Sequence, residues 1–333
     1  MKKCTKKNKT NVLAASHIGK IHKNSQPNED AYYYKLLDCG TFVGAVADGA
    51  GTSSAPFASV GSKEAVLKIV ACLEAYRGVW PEPERNDAGK EWKQIMQSCF
   101  METQMHLKAF ASNVQSLAEH LENVQYSTNS DEKDSNGSKS ASELSELRLA
   151  FSQNKLIEML LDKGPYPESA FASTLLVVVT TPEWIAYGQI GDGGIVICTQ
   201  SDNNTTEQKI NFKRLTFDLH EIANHTVFLT SKNSLRELQF GFKKDSISGI
   251  VLFSDGLERI IFNYKENEPR RSFLQPLFQI VSESNNQESD SRELEKYLAS
   301  DSIQSKTFDD TTIIVTSICV KGDEYNDLKS SHK

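Results

Sequence analysis

The stretch VGAVADGAG, residues 43 to 51, is a short apolar run that ends on one carboxylate, Asp48, and then breaks into glycine. An apolar run of this length is typical of a buried β-strand. Because aspartate and glycine are common turn formers, a strand followed by a tight turn explains the stretch when it is taken alone. The same arrangement recurs along the chain, and the recurrence favours a shared role for the acidic residues.

Acidic residues stand at the edges of four further strand-like runs. NED precedes the run AYYY, GQIGDGG lies between two runs, VLFSDG ends a run, and FDDTTIIV begins the last one. The acids concerned are Glu29, Asp30, Asp192, Asp255, Asp309 and Asp310. A simple turn role is the alternative for each of them, and it is strongest for Asp192.

The chemistry of these residues points to a hard metal ion. A half-buried carboxylate is costly unless it is paired or bound to metal, and several together repel one another unless cations offset the charge. The sequence places no comparable cluster of Lys or Arg beside them, and it has no His and Cys set of the zinc type. Oxygen ligands suit Mg²⁺ or Mn²⁺. A glycine after the acid lets the backbone approach, so the carbonyl of Gly49 is a further candidate ligand.

Such a site is suited to the hydrolysis of a phosphate ester. Two ions about 3.5 to 4 Å apart polarise a bridging water and clamp the oxygens of a displacement at phosphorus. Phosphate monoesters react so slowly in water that a hydrolase supplies up to ~10²¹-fold acceleration. The acid set therefore predicts a metal-activated water at a binuclear site.

The composition argues against several other classes of protein. The net charge of −7 gives no general attraction to nucleic acid or to anionic membrane. No run approaches the roughly 20 apolar residues of a membrane helix, and the first residues do not resemble a signal peptide. The six cysteines are scattered and are interpreted as reduced thiols, so that a cytoplasmic location is expected.

Strand-like and helical patterns follow one another in blocks. Strands are predicted within 11–58, helices at 59–77, 91–124 and 144–161, strands again from ASTLLVVVTT to GIVLFSD, then helices in GLERIIF and SFLQPLFQIVSES and a last strand in TTIIVTSICV. HTVFLT is among the predicted strands. Blocks of this kind indicate the α+β class with mainly antiparallel sheets.

The same patterns predict one domain over residues 11–320. A basic tail over 1–10 precedes it and a polar tail over 321–333 follows it. Residues 125–143 consist of Ser, Asn and charged residues with almost nothing to bury, so we expect a mobile insertion there.

Six pieces of the sequence, in order, resemble the metal-dependent protein phosphatases, the PPM or 2C-type serine/threonine family, with bacterial-like features. They are NEDA, VADGAG, ASTLLVVV, IGDGG, VLFSDGL and DDTTIIV, and they extend from about Ala14 to Val320. The resemblance implies an α/β/β/α sandwich, in which two antiparallel β-sheets pack face to face and are flanked by helices.

The resemblance also implies roles for individual residues. Asp48 would bridge two Mn²⁺ or Mg²⁺ ions and act with Asp255 and Asp309 in catalysis, while Gly49 would give its carbonyl to one ion. The two acids of NED would bind or orient waters on one ion, and Asp192 would hold a weaker third. The implied metal ligands are Glu29, Asp30, Asp48, Gly49, Asp192, Asp255 and Asp309.

Two positions depart from the family pattern. Ser25 stands where many relatives have an arginine that grips the substrate phosphate, and His22 or Lys23 is the candidate replacement. Lysine lacks the bidentate fork of arginine, so the grip is expected to be weaker. Ala50 stands where eukaryotic relatives often have a histidine proposed to protonate the leaving group.

These observations predict a cytoplasmic phosphoprotein phosphatase that acts on phosphoserine and phosphothreonine. Its partners would be a phosphorylated protein and a Ser/Thr kinase, without nucleic acid or membrane. One alternative is a catalytically weak phosphoprotein-binding or regulatory module on the same fold, favoured by the altered phosphate-gripping residues. The other is a phosphatase of small phosphorylated metabolites.

Overall fold

The fold is described over residues 9–20, 27–130, 167–201, 209–216, 226–266 and 268–319 of a computed structural model. Within these residues the strands are β1 Lys9–His17, β2 Ala31–Leu36, β3 Phe42–Ala47, β4 Leu175–Thr180, β5 Trp184–Ile190, β6 Gly194–Ser201, β7 Lys209–Arg214, β8 Gln239–Lys244, β9 Ile247–Phe253, β10 Phe262–Asn263, β11 Glu268–Pro269 and β12 Thr311–Cys319. The α-helices are α1 Ala58–Ala75, α2 Ala88–Ser130, α3 Glu258–Ile261, α4 Arg271–Glu283, α5 Gln287–Leu298 and α6 Asp301–Gln304.

Ten of these strands form two five-stranded sheets. The first has the order β1-β12-β9-β6-β7 and the second has the order β2-β3-β4-β5-β8, while β10 and β11 form a separate short pair. All the pairings are antiparallel. The expected sheet type is therefore confirmed.

The two sheets pack face to face, and their strands are apolar on both faces. In β4, Leu176 and Val178 face the layer between the sheets, whereas Leu175, Val177 and Val179 face the other side. Side chains alternate across a strand, so a strand covered on both faces reads as a continuous apolar run. This explains why LLVVV shows no polar alternation.

Helices cover the outer faces of both sheets. α1 and α2 pack on the second sheet through Ile69, Leu73, Trp92 and Phe100, all of them buried. α4 and α5 cover the first sheet, together with the short α3 and the turn before it. Their buried apolar residues are Leu257, Ile261, Leu274, Leu277, Phe278, Leu294 and Leu298. The result is the four-layer α/β/β/α sandwich that the sequence predicts.

Several boundaries differ from the sequence prediction. α2 continues to Ser130, six residues into the segment predicted as a mobile insertion, because propagating an existing helix costs little even through polar residues. The rest of that segment, and the helix predicted at 144–161, lie outside the described residues.

The predicted strand HTVFLT was wrong for residues 226–230, which lie in turns and irregular structure. Val227 and Leu229 are buried in the core beside α2, and the Leu229 N–H donates to the Ser173 carbonyl at 2.7 Å. The alternation of apolar residues is therefore real, but it serves to fill the core from a segment outside the sheet ladders.

No helix within the described ranges is long and apolar enough to cross a membrane. Cys72, Cys99 and Cys198 are buried free thiols, which agrees with the expectation for these three residues.

Candidate metal centre

The register of the second sheet brings two of the predicted acids together. β2 and β3 are antiparallel and Ala31 pairs with Ala47, so the beginning of β2 lies beside the end of β3. Asp30 directly precedes β2 and Asp48 directly follows β3. The two carboxylates therefore belong to one end of this sheet.

The first sheet brings the other acids to the same end of the sandwich. Phe253, the last residue of β9, pairs with Ile313 near the beginning of β12 and with Gly194 at the beginning of β6. Asp255 follows β9, Asp309 lies just before β12, and the turn of Asp192 lies just before β6. Chain direction and register, rather than sequence proximity, thus assemble the site.

Three carboxylates come together closely enough to bind one metal ion. Asp48, Asp192 and Asp255 each offer one oxygen, and these oxygens lie within 4.8 Å of one another. The three side chains are half-buried. Asp48 follows β3, Asp192 lies between β5 and β6, and Asp255 follows β9. The structure thus brings together residues that are 144 and 63 positions apart, taken from their numbers in the sequence.

The electrostatics of the cluster show that its negative charges repel one another. Burial raises the pKa of Asp48 well above its usual range, and the charges of four other carboxylates raise it further. These are Asp30, Asp255, Asp192 and Asp309. The pKa of Asp255 is raised in the same way, first by burial and then chiefly by Asp192 and Asp309. Asp309 and Asp30 therefore lie within electrostatic reach of the cluster.

This donor set fits a hard divalent cation. Asp30 Oδ1 and Asp255 Oδ1 are buried and have no hydrogen-bond partner among the described residues. A buried carboxylate oxygen without a donor is costly, and a bound cation would offset both that cost and the mutual repulsion. Carboxylate oxygens are the ligands that Mg²⁺ and Mn²⁺ prefer.

Ser254, at the end of β9 in the opposite sheet, holds Asp30 by a hydrogen bond. This role of Ser254 was not predicted from the sequence. The Ser254 hydroxyl donates to Asp30 Oδ2 at 2.6 Å and accepts a hydrogen bond from the Thr312 N–H at 3.0 Å. Burial nevertheless raises the pKa of Asp30 to about 7. The available signal was the single polar residue between the apolar run VLF and Asp255.

Asp48 and Gly49 are fixed through their backbone. The Asp48 N–H donates to Thr174 Oγ1 at 2.9 Å, and the Asp48 carbonyl accepts from the Thr174 N–H at 2.7 Å. A Cβ atom on Gly49 would lie 2.9 Å from Ala58 and from the Glu29 carbonyl, so no larger residue fits there without movement. The role of the Gly49 carbonyl as a metal ligand stays a prediction.

Glu29 lies next to the cluster and is tied down by Asp310. Its side chain is buried, and its carbonyl accepts hydrogen bonds from the Gly49 N–H at 3.1 Å and from the Ser62 hydroxyl at 2.6 Å. Asp310 Oδ2 accepts from the Glu29 N–H, and Asp310 Oδ1 accepts from the Gly19 N–H, each at 2.6 Å. Asp310 is thus a buried carboxylate that holds Gly19 and Glu29 by hydrogen bonds, a role that its position in the sequence did not reveal.

The Asp192 turn depends on two glycines with positive φ. Gly191 has a φ of +90° and Gly193 a φ of +86°, values that favour glycine. The Thr226 hydroxyl donates to Asp192 Oδ2 at 2.8 Å. This contact orients the carboxylate toward its partners Asp48 and Asp255.

A buried ion pair braces this turn against the helix that follows Asp255. Arg214 donates from Nη2 to the Gly193 carbonyl at 2.9 Å and from Nε to the Thr216 carbonyl at 2.5 Å. Its Nη2 also lies 2.5 Å from Glu258 Oε1, and both side chains are nearly buried. We did not predict either residue, because nothing in the sequence links them to the acids.

The structure does not place His22, Lys23 or Ser25, because residues 21–26 lie outside the described ranges. Ala50 is buried among other small residues, and its N–H donates to the Ala172 carbonyl at 3.0 Å. A phosphate-binding role for His22 and Lys23 stays a prediction.

The metal-free protein is expected to lose stability as the pH rises from about 4 to about 7. The folded-state pKa of Asp30 is raised from 3.8 to about 7, and those of Asp48 and Asp255 are raised as well. The folded state therefore binds more protons than the unfolded state in this window, so the free energy of unfolding falls as pH rises.

Urea denaturation in the presence of EDTA at pH 5 and pH 7 measures this dependence. The variant Asp30→Asn cannot lose the proton concerned and should show a flatter profile than the wild type. Equal profiles for the two proteins would contradict the assignment of this pH dependence to Asp30.

The sequence of this chain matches a known protein family. The profile of the family described as protein phosphatase 2C matches residues 18–299. Serine/threonine-protein phosphatase 3 of Escherichia coli (strain K12) is 27% identical over 145 residues, which are 43% of this chain and 54% of that protein. The matched region thus spans about half the length of this curated relative.

Solved structures of similar fold have low sequence identity. The structure of a C. elegans sex determining protein gives a TM-score of 0.50 at 12% identity and covers 92% of this chain and 64% of that chain. The catalytic domain of the serine threonine protein phosphatase PstP, in complex with 2 manganese ions, gives 0.47 at 15% identity, over 93% of this chain and 98% of that chain. At 12% identity the first of these likenesses concerns the fold.

Proposed function

Since this chain belongs to the protein phosphatase 2C family, we propose that it removes phosphate from phosphoserine and phosphothreonine residues of proteins, with Mn²⁺ or Mg²⁺ as cofactor. The observation that carries this proposal is the carboxylate cluster of Asp48, Asp192 and Asp255. It lies at one end of the sandwich, where residues from both sheets converge.

The residues around the cluster have distinct tasks in this proposal. Asp48, Asp255 and Asp309 would hold the catalytic cations, and Asp192, whose carboxylate lies with those of Asp48 and Asp255, would help to hold a further one. When bound, the cations supply Lewis-acid activation of the attacking water and offset charge on the phosphoryl oxygens.

The chain's own contacts preorganise these ligands. The two hydrogen bonds to Thr174 fix the backbone of Asp48, and Ser254 fixes one oxygen of Asp30. Rigid placement matters because a misplaced ligand or substrate loses much of the rate that positioning supplies. Ala50 has no proton to give, so water would protonate the leaving oxygen, while His22 and Lys23 are proposed to hold the phosphate.

The acid cluster argues against the alternative of a pure binding module. Several carboxylates raise each other's pKa in the metal-free protein, which costs stability. A protein that only recognised a phosphorylated partner would gain nothing from closely placed carboxylates that lower its stability. Metal-dependent hydrolysis requires such carboxylates as ligands.

The proposal is tested by comparing three substrates in the presence of Mn²⁺. We expect hydrolysis of p-nitrophenyl phosphate and of a phosphothreonine peptide, with kcat/KM at least tenfold higher for the peptide than for glucose 6-phosphate. The same mixtures with EDTA instead of Mn²⁺ are the control and should show only background hydrolysis. Preference for the sugar phosphate would indicate a metabolite phosphatase, and no hydrolysis of any substrate would indicate a binding module.

A Ser/Thr kinase that phosphorylates the same substrate is the proposed functional partner, and a cytoplasmic location stays a prediction. The kinase follows from the phosphorylated state of the substrate, and the location follows from the scattered cysteines. Immunoprecipitation of the chain from its own cells tests whether a kinase accompanies it.

A further inference from the structure

A groove lies between α4 and α5, on the outer face of the first sheet. Its volume is about 840 Å³, within the usual range of ligand pockets. Apolar residues form most of its lining: Leu13, Ile260, Phe273, Leu277, Ile280 and Leu294. Ile280 is 51% exposed and Tyr297, on the other side of the groove, is 41% exposed. The groove therefore presents unusual apolar surface to solvent.

The groove has a defined direction because its two helices run antiparallel. Three residues join the end of α4 to the beginning of α5. Phe273 in the first turn of α4 stacks on Tyr297 in the last turn of α5, with ring centroids 6.3 Å apart. One end of the groove is therefore marked by this aromatic pair, and Asp290 in the first turn of α5 marks the other.

Basic residues line the end with the aromatic pair. Arg270 immediately precedes α4, and its N–H donates to the Ile261 carbonyl, which brings Arg259 to the same end. Lys306 lies just beyond α6, which follows the end of α5. Among the described residues, none of these three side chains has an ion pair or a hydrogen bond.

The two acids of the groove are at least partly satisfied: Asp290 lies at the other end, and Glu293 lies near the middle of α5. Asp290 Oδ2 accepts a hydrogen bond from the Ser284 hydroxyl at 2.6 Å, and Glu293 Oε1 lies 2.7 Å from Lys296 Nζ. Both acids thus have partners within the protein, whereas the three basic groups have none among the described residues. The basic end has unsatisfied donors, and guanidinium groups bind carboxylates in bidentate fashion.

The basic end is next to the metal centre along the chain. Arg259 follows Asp255 by four residues, and Lys306 precedes Asp309 by three. Between Lys306 and Asp309 lies Phe308, which is 66% exposed. Gln287 and Ser291 of α5 accept hydrogen bonds from the N–H groups of Val12 and Ala14, so α5 runs in the direction of β1, toward the end where His17 pairs with Thr311. A ligand bound at the basic end would therefore lie at the same end of the sandwich as the carboxylate cluster.

We propose that this groove docks a peptide segment of the phosphoprotein substrate, an inference that rests on the proposed function. The segment has apolar side chains for the centre of the groove and acidic side chains for the basic end. A peptide fits better than a small apolar anion, because three basic side chains and a long apolar lining offer several separate side-chain contacts along the groove. Docking beside the site would raise the effective concentration of the phosphorylated residue.

The test is selection from a phage-displayed library of random 12-residue peptides. We expect the selected peptides to combine acidic and apolar residues. They should bind at least tenfold more weakly to Arg270→Glu and to Tyr297→Ala, both of which change exposed side chains. Lys93→Glu, an exposed charge reversal on α2 on the opposite side of the sandwich, is the matched control and should bind them as the wild type does.

Kinetics separate this inference from the proposed function. Fusing a selected peptide to a phosphothreonine peptide should lower KM at least tenfold for the wild type but not for Arg270→Glu, with p-nitrophenyl phosphate turnover unchanged. If phosphate esters are hydrolysed but no selected peptide depends on Arg270 and Tyr297 for binding, the docking groove is refuted and the proposed function stands. Groove-dependent peptide binding without hydrolysis of any phosphate ester would refute the proposed function instead. Saturable binding of oleate without peptide selection would reassign the groove to a small apolar anion.

Discussion

Asp48→Asn is expected to lower turnover at saturating Mn²⁺ by at least about 10²-fold, or roughly 2.7 kcal/mol of activation free energy. The substitution keeps the shape of the side chain and removes its charge. Because Asp48 shares a 4.8 Å cluster with Asp192 and Asp255, the affinity for Mn²⁺ should fall sharply as well. The metal-free variant should be at least as stable as the wild type, since one of several repelling charges is gone.

Two measurements on this variant decide its role, namely Mn²⁺ titration by calorimetry and turnover at saturating metal. The exposed Asp38→Asn, beyond the opposite end of β2 from Asp30, is a control that removes one negative charge away from the cluster. If Asp48 were only a turn residue, asparagine would serve nearly as well. Wild-type metal binding together with wild-type turnover would then be observed, and the bridging assignment would be rejected.

Arg214→Met is expected to destabilise the protein by about 3 to 5 kcal/mol, because it leaves the nearly buried carboxylate of Glu258 without its cation. The Gly193 and Thr216 carbonyls lose their donor at the same time. Movement of the Gly193 turn should displace Asp192, so we also expect weaker Mn²⁺ binding in the fraction that remains folded.

Urea denaturation of the metal-free protein measures the first effect, and calorimetry measures the second. The double variant Arg214→Met/Glu258→Leu removes both charges, and it should recover most of the lost stability. It should not recover the Mn²⁺ affinity, because the Gly193 carbonyl still lacks its donor. A loss below about 1 kcal/mol in the single variant would show that the pair does not brace the turn.

The sequence patterns were sufficient for the strands of an antiparallel α+β fold, because the central strands are covered on both faces, and the family resemblance implied the sandwich. Runs such as LLVVV in β4 and GIVLF in β9 bury every side chain, so they stand out against the polar segments around them. Edge elements gave weaker signals. β8 is only half-buried, and α5 buries just Leu294 and Leu298, so we predicted neither.

The carboxylate cluster was predictable for a similar reason. An acid at the end of a buried apolar strand, followed by glycine, is conspicuous, as at Asp48 and Asp255. Arg214 gave no such signal, because in KINFKRLT it resembles its exposed neighbour Lys213, and its partner Glu258 is far away in the sequence. Ser254 was also missed, since a single hydroxyl acquires meaning only when Asp30 of the other sheet lies beside it.

The fastening of Gly19 and Glu29 by Asp310 has a consequence for how this protein can diversify. One buried carboxylate holds the chain where it leaves β1 and where it returns toward β2. Gly19 and Glu29 are thereby held at fixed points, and lengthening a chain segment whose ends are fixed adds only a little entropy cost for each doubling of its length. We therefore expect insertions and exchanges between Gly19 and Glu29 to leave Asp30 in place, so this segment can diversify without disturbing the carboxylate cluster.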